Sequence, residues 1–98
     1  MPRHDWRKDI KMKIKDGFIT RKIGDTNYAV SFDENSPIGN GMIKLSDSAF
    51  FIWQLLEAGA TEEEVLSAMK ERFQAEEDVL RRDISTFVSK LNELGIIE

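Results

Sequence analysis

The sequence predicts an α+β fold resembling a winged helix-turn-helix, with a small three-stranded antiparallel sheet followed by three helices. Three observations lead to this prediction. Hydrophobic residues tend to alternate with polar ones in the stretch that ends at Leu45, which is typical of strands. After Ser46 they recur every three or four positions, as on one face of a helix. A chain of 98 residues has room for one small domain with a single core.

Residues 1–9 mix charged side chains with one aromatic residue, Trp6, and show no hydrophobic period. We therefore expect a flexible N-terminal arm, followed by a single domain at residues 10–98. The alternative is that Trp6 packs against the domain or against a partner. No run approaches the ~20 apolar residues that span a membrane, and the first residues lack the apolar stretch of a signal peptide. We expect a cytoplasmic, stand-alone protein with no membrane partner.

The first predicted strand pair lies on either side of the dipeptide Asp16-Gly17. Hydrophobic residues alternate with lysines over residues 10–14, and they resume at Phe18. Asp-Gly between two such runs favours a hairpin, because both turn positions accept a positive φ. The sequence therefore predicts a hairpin closed at Asp16-Gly17.

Two further strands are predicted, which with the strand after Gly17 make three, and the run at residues 10–14 would be an extra N-terminal strand. A second turn is expected at residues 24–27, and the strand after it places large side chains on one face and the small Ala29 and Ser31 on the other. Residues 33–41 have the Pro, Gly and Asn composition of a loop. The hydrophobic run that follows, Met42–Leu45, is the last predicted strand.

Local signals bound the first two predicted helices. Ser46 is suited to cap the N-terminus of a helix at residues 47–58, and Gly59 suits the turn that ends it. Thr61 and Glu64 have the spacing of a capping box, in which each side chain accepts a hydrogen bond from the backbone N–H of the other residue. A second helix should therefore begin just after Thr61.

The longest periodic segment predicts the third helix. Its hydrophobic stripe consists of Leu80, Ile84, Phe87, Val88, Leu91 and Leu94. Gly95 should end this helix, and we expect Ile96 and Ile97 to fold back onto the core.

The residues needed for most catalytic sites are missing from the sequence. It contains no cysteine, and its one histidine, His4, lies in the predicted arm, so thiolate sites, histidine metal sites and Ser-His pairs are excluded. Acidic clusters at residues 62–64 and 76–78 lie at helix starts, where the helix dipole favours carboxylates. We prefer that interpretation to a metal or acid–base role. The prediction is a non-enzymatic protein with no catalytic residues, metal or cofactor.

Charge is distributed unevenly along the chain. Residues 1–22 carry eight Lys/Arg against three Asp, whereas the remainder carries six against fifteen Asp/Glu. From Glu57 onward, a region that includes both helices that would form the DNA-reading motif, there are five Lys/Arg against eleven acidic residues. A protein that binds DNA needs a basic surface. We therefore expect no nucleic-acid partner, and a winged-helix transcription regulator is only the alternative function. The basic start and acidic body also suggest a third hypothesis, a purely structural module that forms a homodimer.

The short strand Met42–Leu45 suggests a different function. A strand at the edge of a sheet exposes unpaired backbone groups, to which an extended peptide can add as a further strand. The alternative is that the preceding loop protects this edge, and these residues alone leave both interpretations open. On the last helix, Arg81, Arg82 and Lys90 form a basic set that could pair with peptide carboxylates.

The segments "IKLSDSAFFIWQLLEAGATEEEVLSAMKERF" and "DISTFVSKLNELGII" resemble the PqqD-like family, which includes the RiPP recognition elements. The resemblance extends from Phe18 to the C-terminus and leaves the arm and residues 33–40 unmatched. Ser46 stands where the family commonly has Asn, and both residues can cap a helix. The matching positions are Leu45, Ala49, Ile52, Trp53, Leu55, Leu56, Gly59, Thr61, Phe73, Leu91, Leu94, Gly95, Ile96 and Ile97.

The resemblance implies a peptide chaperone that binds the leader of a ribosomally synthesised precursor peptide, as in PQQ biosynthesis. Such a protein would present the leader to a modifying enzyme of the radical SAM or another type. The leader would lie as a strand beside the third strand and in a groove against the third helix. The face of the third strand that lines the groove is left open, because a one-residue shift exchanges the faces. The implied peptide-binding residues are Met42, Ile43, Lys44, Leu45, Arg82, Asp83, Thr86, Phe87 and Lys90.

Overall fold

The protein is described by a computed structural model that covers residues 11–32 and 41–97. Three strands come first: β1 (Phe18–Ile23), β2 (Thr26–Ser31) and β3 (Met42–Leu45). Three helices follow: α1 (Asp47–Ala58), α2 (Glu62–Arg72) and α3 (Glu77–Glu93). The strands form one antiparallel sheet in the order β1-β2-β3. The predicted fold class is therefore confirmed. The predicted arm lies outside the described residues, as does most of the predicted loop.

The predicted hairpin at Asp16-Gly17 is wrong, because the segment before it pairs with other parts of the chain. Met12 forms an isolated antiparallel bridge with Ala60, and Ile14 forms one with Ile97. The N–H of Met12 donates to the carbonyl of Ala60 at 2.7 Å. This pairing buries the side chains of both Met12 and Ile14 in the core against the helices, which is favourable because it removes apolar surface from water. Pairing with β1 would instead have extended the sheet by one strand.

The second predicted turn is confirmed in a shorter form. Ile23 pairs with Thr26, so β1 and β2 are joined by the two-residue turn Gly24-Asp25. Gly24 has a φ of 63°, which a residue with a Cβ rarely adopts, and a glycine at the first central position is typical of tight hairpins. Strand β2 therefore begins at Thr26 rather than after Asn27, where the turn was expected to end.

The two faces of β2 differ in the size of their side chains. The small residues Ala29 and Ser31 are buried on the face that the helices cover, where α1 packs against β2. The large residues lie on the outer face, and Phe32, just beyond the strand, remains 64% exposed. Small side chains on the inner face let α1 approach the sheet closely.

The predicted bounds of the first helix and the predicted start of the second are confirmed, and the predicted stripe of the third is buried except for Phe87 and Leu94, which are partly buried. The Ser46 side chain accepts a hydrogen bond from the N–H of Ala49, and both bonds of the Thr61–Glu64 capping box are present, at 2.8 and 3.1 Å. Trp53 is fully buried and its ring meets that of Phe18 edge-on, with centroids 5.7 Å apart. No helix in the described ranges is long and apolar enough to cross a membrane. The helical part of the core comprises Ile52, Trp53, Leu56, Val65, Leu66, Met69, Leu80, Ile84, Val88 and Leu91, closed by Ile96.

Candidate functional site

Strand β3 lies at the edge of the sheet, and within the described residues it pairs only with β2. The N–H of Ser31 donates to the carbonyl of Gly41 at 3.0 Å, which makes these two residues a hydrogen-bonded pair. Because such pairs alternate along an antiparallel ladder, Ile43 and Leu45 direct their backbone groups toward β2. Met42 and Lys44 therefore direct their N–H and C=O groups away from the sheet. These two residues can pair with an added strand.

The side chains of β3 alternate between the two faces of the sheet, and the structure settles which residues lie toward the helices. Leu45 is only 2% exposed and Ile43 is half-buried against the core, so these two side chains face the helices. Met42 is 55% exposed, and both it and Lys44 lie on the outer face. Of the four strand residues expected to bind peptide, Leu45 therefore anchors the strand, since its side chain is in the core and its backbone faces β2.

All five predicted residues of α3 line one groove. The groove has a volume of about 320 Å³ and lies between α3 and the first turns of α1. Its α3 wall consists of Arg82, Asp83, Thr86, Phe87 and Lys90. The other wall, which the sequence analysis did not find, consists of Ser46, Ser48, Ala49 and Ile52. Ser48, Ala49 and Ile52 lie on one side of α1, because residues three and four positions apart are neighbours on a helix. This spacing is the signal in the sequence that could have revealed the second wall.

The groove has an apolar floor and a polar rim. Ile52 is buried, and Ala49 and Phe87 are half-buried and pack against the core. Arg82 and Lys90 are exposed on the α3 side. Ser46 lines the groove and directly follows β3, so the C-terminal end of the strand adjoins the groove, whereas none of the predicted residues Met42–Leu45 lines it. An extended chain paired with β3 could therefore continue between α1 and α3.

The cations of α3 differ in their availability. The guanidinium of Arg81 is already paired within the protein, since its Nε donates to Glu77 at 2.9 Å and its Nη1 donates to Glu63 at 3.2 Å. These hydrogen bonds, chiefly the one to Glu77, raise the pKa of Arg81. Arg82 and Lys90 form no ion pair within the described ranges. Of the basic set identified in the sequence, Arg82 and Lys90 are therefore the two that remain available to a ligand.

The groove combines apolar side chains with exposed charged ones. Within residues 11–32 and 41–97, no group of three or more acidic or histidine side chains is placed to hold a metal ion. The groove offers one carboxylate, Asp83, with two cations and an apolar floor. Such a site can hold an extended chain through its backbone and select apolar and acidic side chains.

Comparisons with known proteins give one family match. Residues 29–97 match the family described as Coenzyme PQQ synthesis protein D (PqqD). A comparison with curated proteins found no match. The family match begins at Ala29, so it does not include β1 or the segment before it.

Two solved structures share the fold. "TbiB1 in Complex with the TbiA(beta) Leader Peptide" is 23% identical, with a TM-score of 0.70 over 88% of this chain and 94% of that chain. "Lasso peptide synthetase B1 complexed with the leader peptide" is 18% identical, with a TM-score of 0.69 over 89% and 96%. Neither these structures nor the family description supports the DNA-binding alternative. Because the family match spans well over half of the chain, the protein belongs to the PqqD family.

Proposed function

We propose that this protein binds the leader segment of a ribosomally synthesised precursor peptide by strand addition to β3. The main supporting observation is that Met42 and Lys44 direct backbone groups away from the sheet, on a strand whose C-terminal end adjoins Ser46 of the groove between α1 and α3. The two similar structures, both complexes with leader peptides, support the same proposal.

The backbone of the leader would supply affinity without strict sequence requirements. Its N–H and C=O groups would pair with those of Met42 and Lys44, as in other cases of strand addition. The side chains on the helix side of the added strand would then point toward the α1–α3 groove. An apolar side chain there would contact Phe87, and an acidic one would pair with Arg82 or Lys90.

The protein would act by presenting the peptide rather than by catalysis. We propose a peptide-modifying enzyme as its partner, of the radical SAM or another type, and the cytoplasm as the compartment in which precursor and enzyme meet. A homodimer remains a proposal from the contrast between the basic start of the chain and its acidic remainder. Sedimentation over a range of concentrations would test the homodimer.

The experiment that tests the binding proposal is an amide NMR titration of the full chain with synthetic leader peptides encoded near its gene. We expect shifts at Met42–Leu45 and at residues 82–90, and slower hydrogen exchange at the N–H groups of Met42 and Lys44. A peptide that binds tightly while leaving both regions unshifted would contradict the proposal. DNA that binds more tightly than every leader peptide would favour the alternative function.

A further inference from the structure

A second groove lies on another side of α1. It has a volume of about 630 Å³ and is bounded by the β1–β2 hairpin, by α1 and by the end of α2. On α1 it is lined by Asp47, Phe50, Phe51 and Gln54, whereas the first groove uses Ser48, Ala49 and Ile52. The two grooves share no residue, so a peptide in the first would leave the second open.

The second groove has an aromatic floor. Phe50, Phe51 and Phe73 line it and are half-buried, so each presents part of its ring to the groove. The rings of Phe51 and Phe73 meet edge-on, with centroids 5.7 Å apart and an interplanar angle of 81°. This arrangement offers a rigid apolar surface to an inserted aromatic or aliphatic side chain.

Cations surround that floor. The guanidinium carbon of Arg72 lies 5.9 Å from the ring centroids of both Phe51 and Phe73, which places the charge over the aromatic pair. Arg21 and Lys22 line the groove from β1. None of these three side chains forms an ion pair in the part of the chain that the structure describes. Asp47 is the one carboxylate among the lining residues.

The charge of this groove is opposite to that of the molecule. The chain has a net charge of -4, yet the lining of this groove has three cations against one carboxylate. Such a local excess attracts an anionic partner, and the aromatic floor requires that partner to carry an apolar group as well. A nucleic acid could also offer anions and stacking bases, but residues 23–98 carry six Lys/Arg against fifteen Asp/Glu, which disfavours a long phosphate backbone.

We propose that this second groove docks an acidic segment with an aromatic or aliphatic anchor side chain, supplied by the protein that receives the bound peptide. The anchor would rest on Phe51 and Phe73, and flanking carboxylates would pair with Arg72 and with Lys22 or Arg21. The identity of the partner as a peptide-modifying protein rests on the proposed function. The chemistry of the groove stands independently of it.

The test is an amide NMR titration of the full chain with the capped pentapeptide Glu-Asp-Phe-Asp-Glu. We expect shifts centred on Phe51, Arg72 and Phe73, which fade as NaCl rises from about 0.1 to 1 M because the Debye length falls from about 10 to 3 Å. The charge-reversed peptide Lys-Arg-Phe-Arg-Lys should cause no shift there. Shifts confined to residues 82–90, or none at all, would overturn the proposal. Tighter binding of a single-stranded oligothymidine to the same residues would also overturn it.

Charge-reversal variants test whether individual cations of the second groove bind the acidic peptide. Arg72→Glu and Lys22→Glu should each weaken binding of the acidic peptide about fivefold or more at low salt. Arg72 lies in α2 and Lys22 in β1, so a folding defect in one variant would still leave the other to test the proposal. Lys13→Glu is the matched control, since Lys13 is exposed, lies outside both grooves and changes the net charge equally. Unchanged binding by both groove variants would refute the proposal.

The leader titration separates this inference from the proposed function. Leader peptides that shift β3 and α3, together with an acidic peptide that shifts nothing near Phe51, would refute the second groove alone. The opposite result would leave the second groove as a docking site and remove leader binding as the function of the first.

Discussion

The backbone nitrogen of Ser31 lies 3.0 Å from the carbonyl oxygen of Gly41 and donates its hydrogen to it, and this hydrogen bond establishes the register of the edge strand β3. With that bond in place, Ala29 and Ile43 form the next hydrogen-bonded pair, and the free backbone groups fall on Met42 and Lys44. A register shifted by one residue would turn Ile43 outward and bring the charged Lys44 toward the core. Two predictions follow from this edge and its groove, and two concern the stability of the fold.

Replacing Lys44 by proline should weaken strand addition while preserving the fold. Proline removes an N–H that points away from β2, and edge strands tolerate it at such positions. We expect leader affinity to fall roughly tenfold or more, from the loss of a hydrogen bond and the clash of the ring with an added strand. Lys44→Ala, which retains the N–H, is the control. Titration calorimetry showing equal affinity for the two variants would contradict backbone pairing at this residue.

Replacing Phe87 by alanine should weaken leader binding and lower stability. Phe87 is half-buried at the floor of the α1–α3 groove, so its removal should cost about 2 kcal/mol, roughly half of the cost for a fully buried phenylalanine. Val79→Ala is the control on the same helix, because Val79 is exposed and outside the groove. Urea unfolding measures the stability, and a leader titration measures the affinity. Wild-type affinity in folded Phe87→Ala would exclude the groove as the peptide site.

Replacing Ala29 by valine should destabilise the fold by about 1–3 kcal/mol, the usual cost of adding methyl groups to a packed core. Ala29 is fully buried opposite Ile43, on the face of β2 against which α1 packs. Val30→Ile adds one methyl group on the outer face of the same strand and should change stability by less than about 0.5 kcal/mol. Thermal unfolding of both variants provides the comparison. An equally stable Ala29→Val would mean that α1 does not pack closely on β2.

Stability should decrease as the pH falls below about 4.5, partly because of Glu64 and Glu77. The backbone N–H of Thr61 lowers the pKa of Glu64 from its ordinary 4.5, with a smaller contribution from Lys11. The Lys70 ammonium, followed by Arg81, lowers the pKa of Glu77 from the same value. A carboxylate whose pKa is lower in the folded state stabilises that state above its unfolded pKa, and this contribution is lost as the pH falls through the folded value.

Thermal unfolding between pH 6 and pH 3 would measure this effect. Glu64→Gln and Glu77→Gln should each reduce the dependence of the melting temperature on pH, because neither amide can be protonated in this range. Glu57→Gln is the matched control, since Glu57 is exposed and forms no ion pair in the described ranges. Identical pH profiles for all three variants and the parent chain would exclude a contribution from these two carboxylates.

The positions of the candidate site could be predicted only in part. The α3 residues from Arg82 to Lys90 were expected from the family resemblance, and they line one groove in the structure. Ser48 and Ala49 were missed as the opposite wall, because small residues in an amphipathic helix give no signal of the space they leave beside them. Arg81 resembled an available cation in the sequence, but Glu63, which is 18 residues earlier, helps to hold it.

The sequence by itself determined the type and order of the elements and most of their boundaries. Ser46 and Gly59 predicted both ends of α1, and the Thr61–Glu64 box predicted the start of α2, because capping depends on residues within one turn of each other. Only the tertiary structure decided that Met12 and Ile14 pair with Ala60 and Ile97 rather than with β1. It also decided which face of β3 meets the helices. These choices depend on burial against segments distant in the chain, and local periodicity carries no information about them.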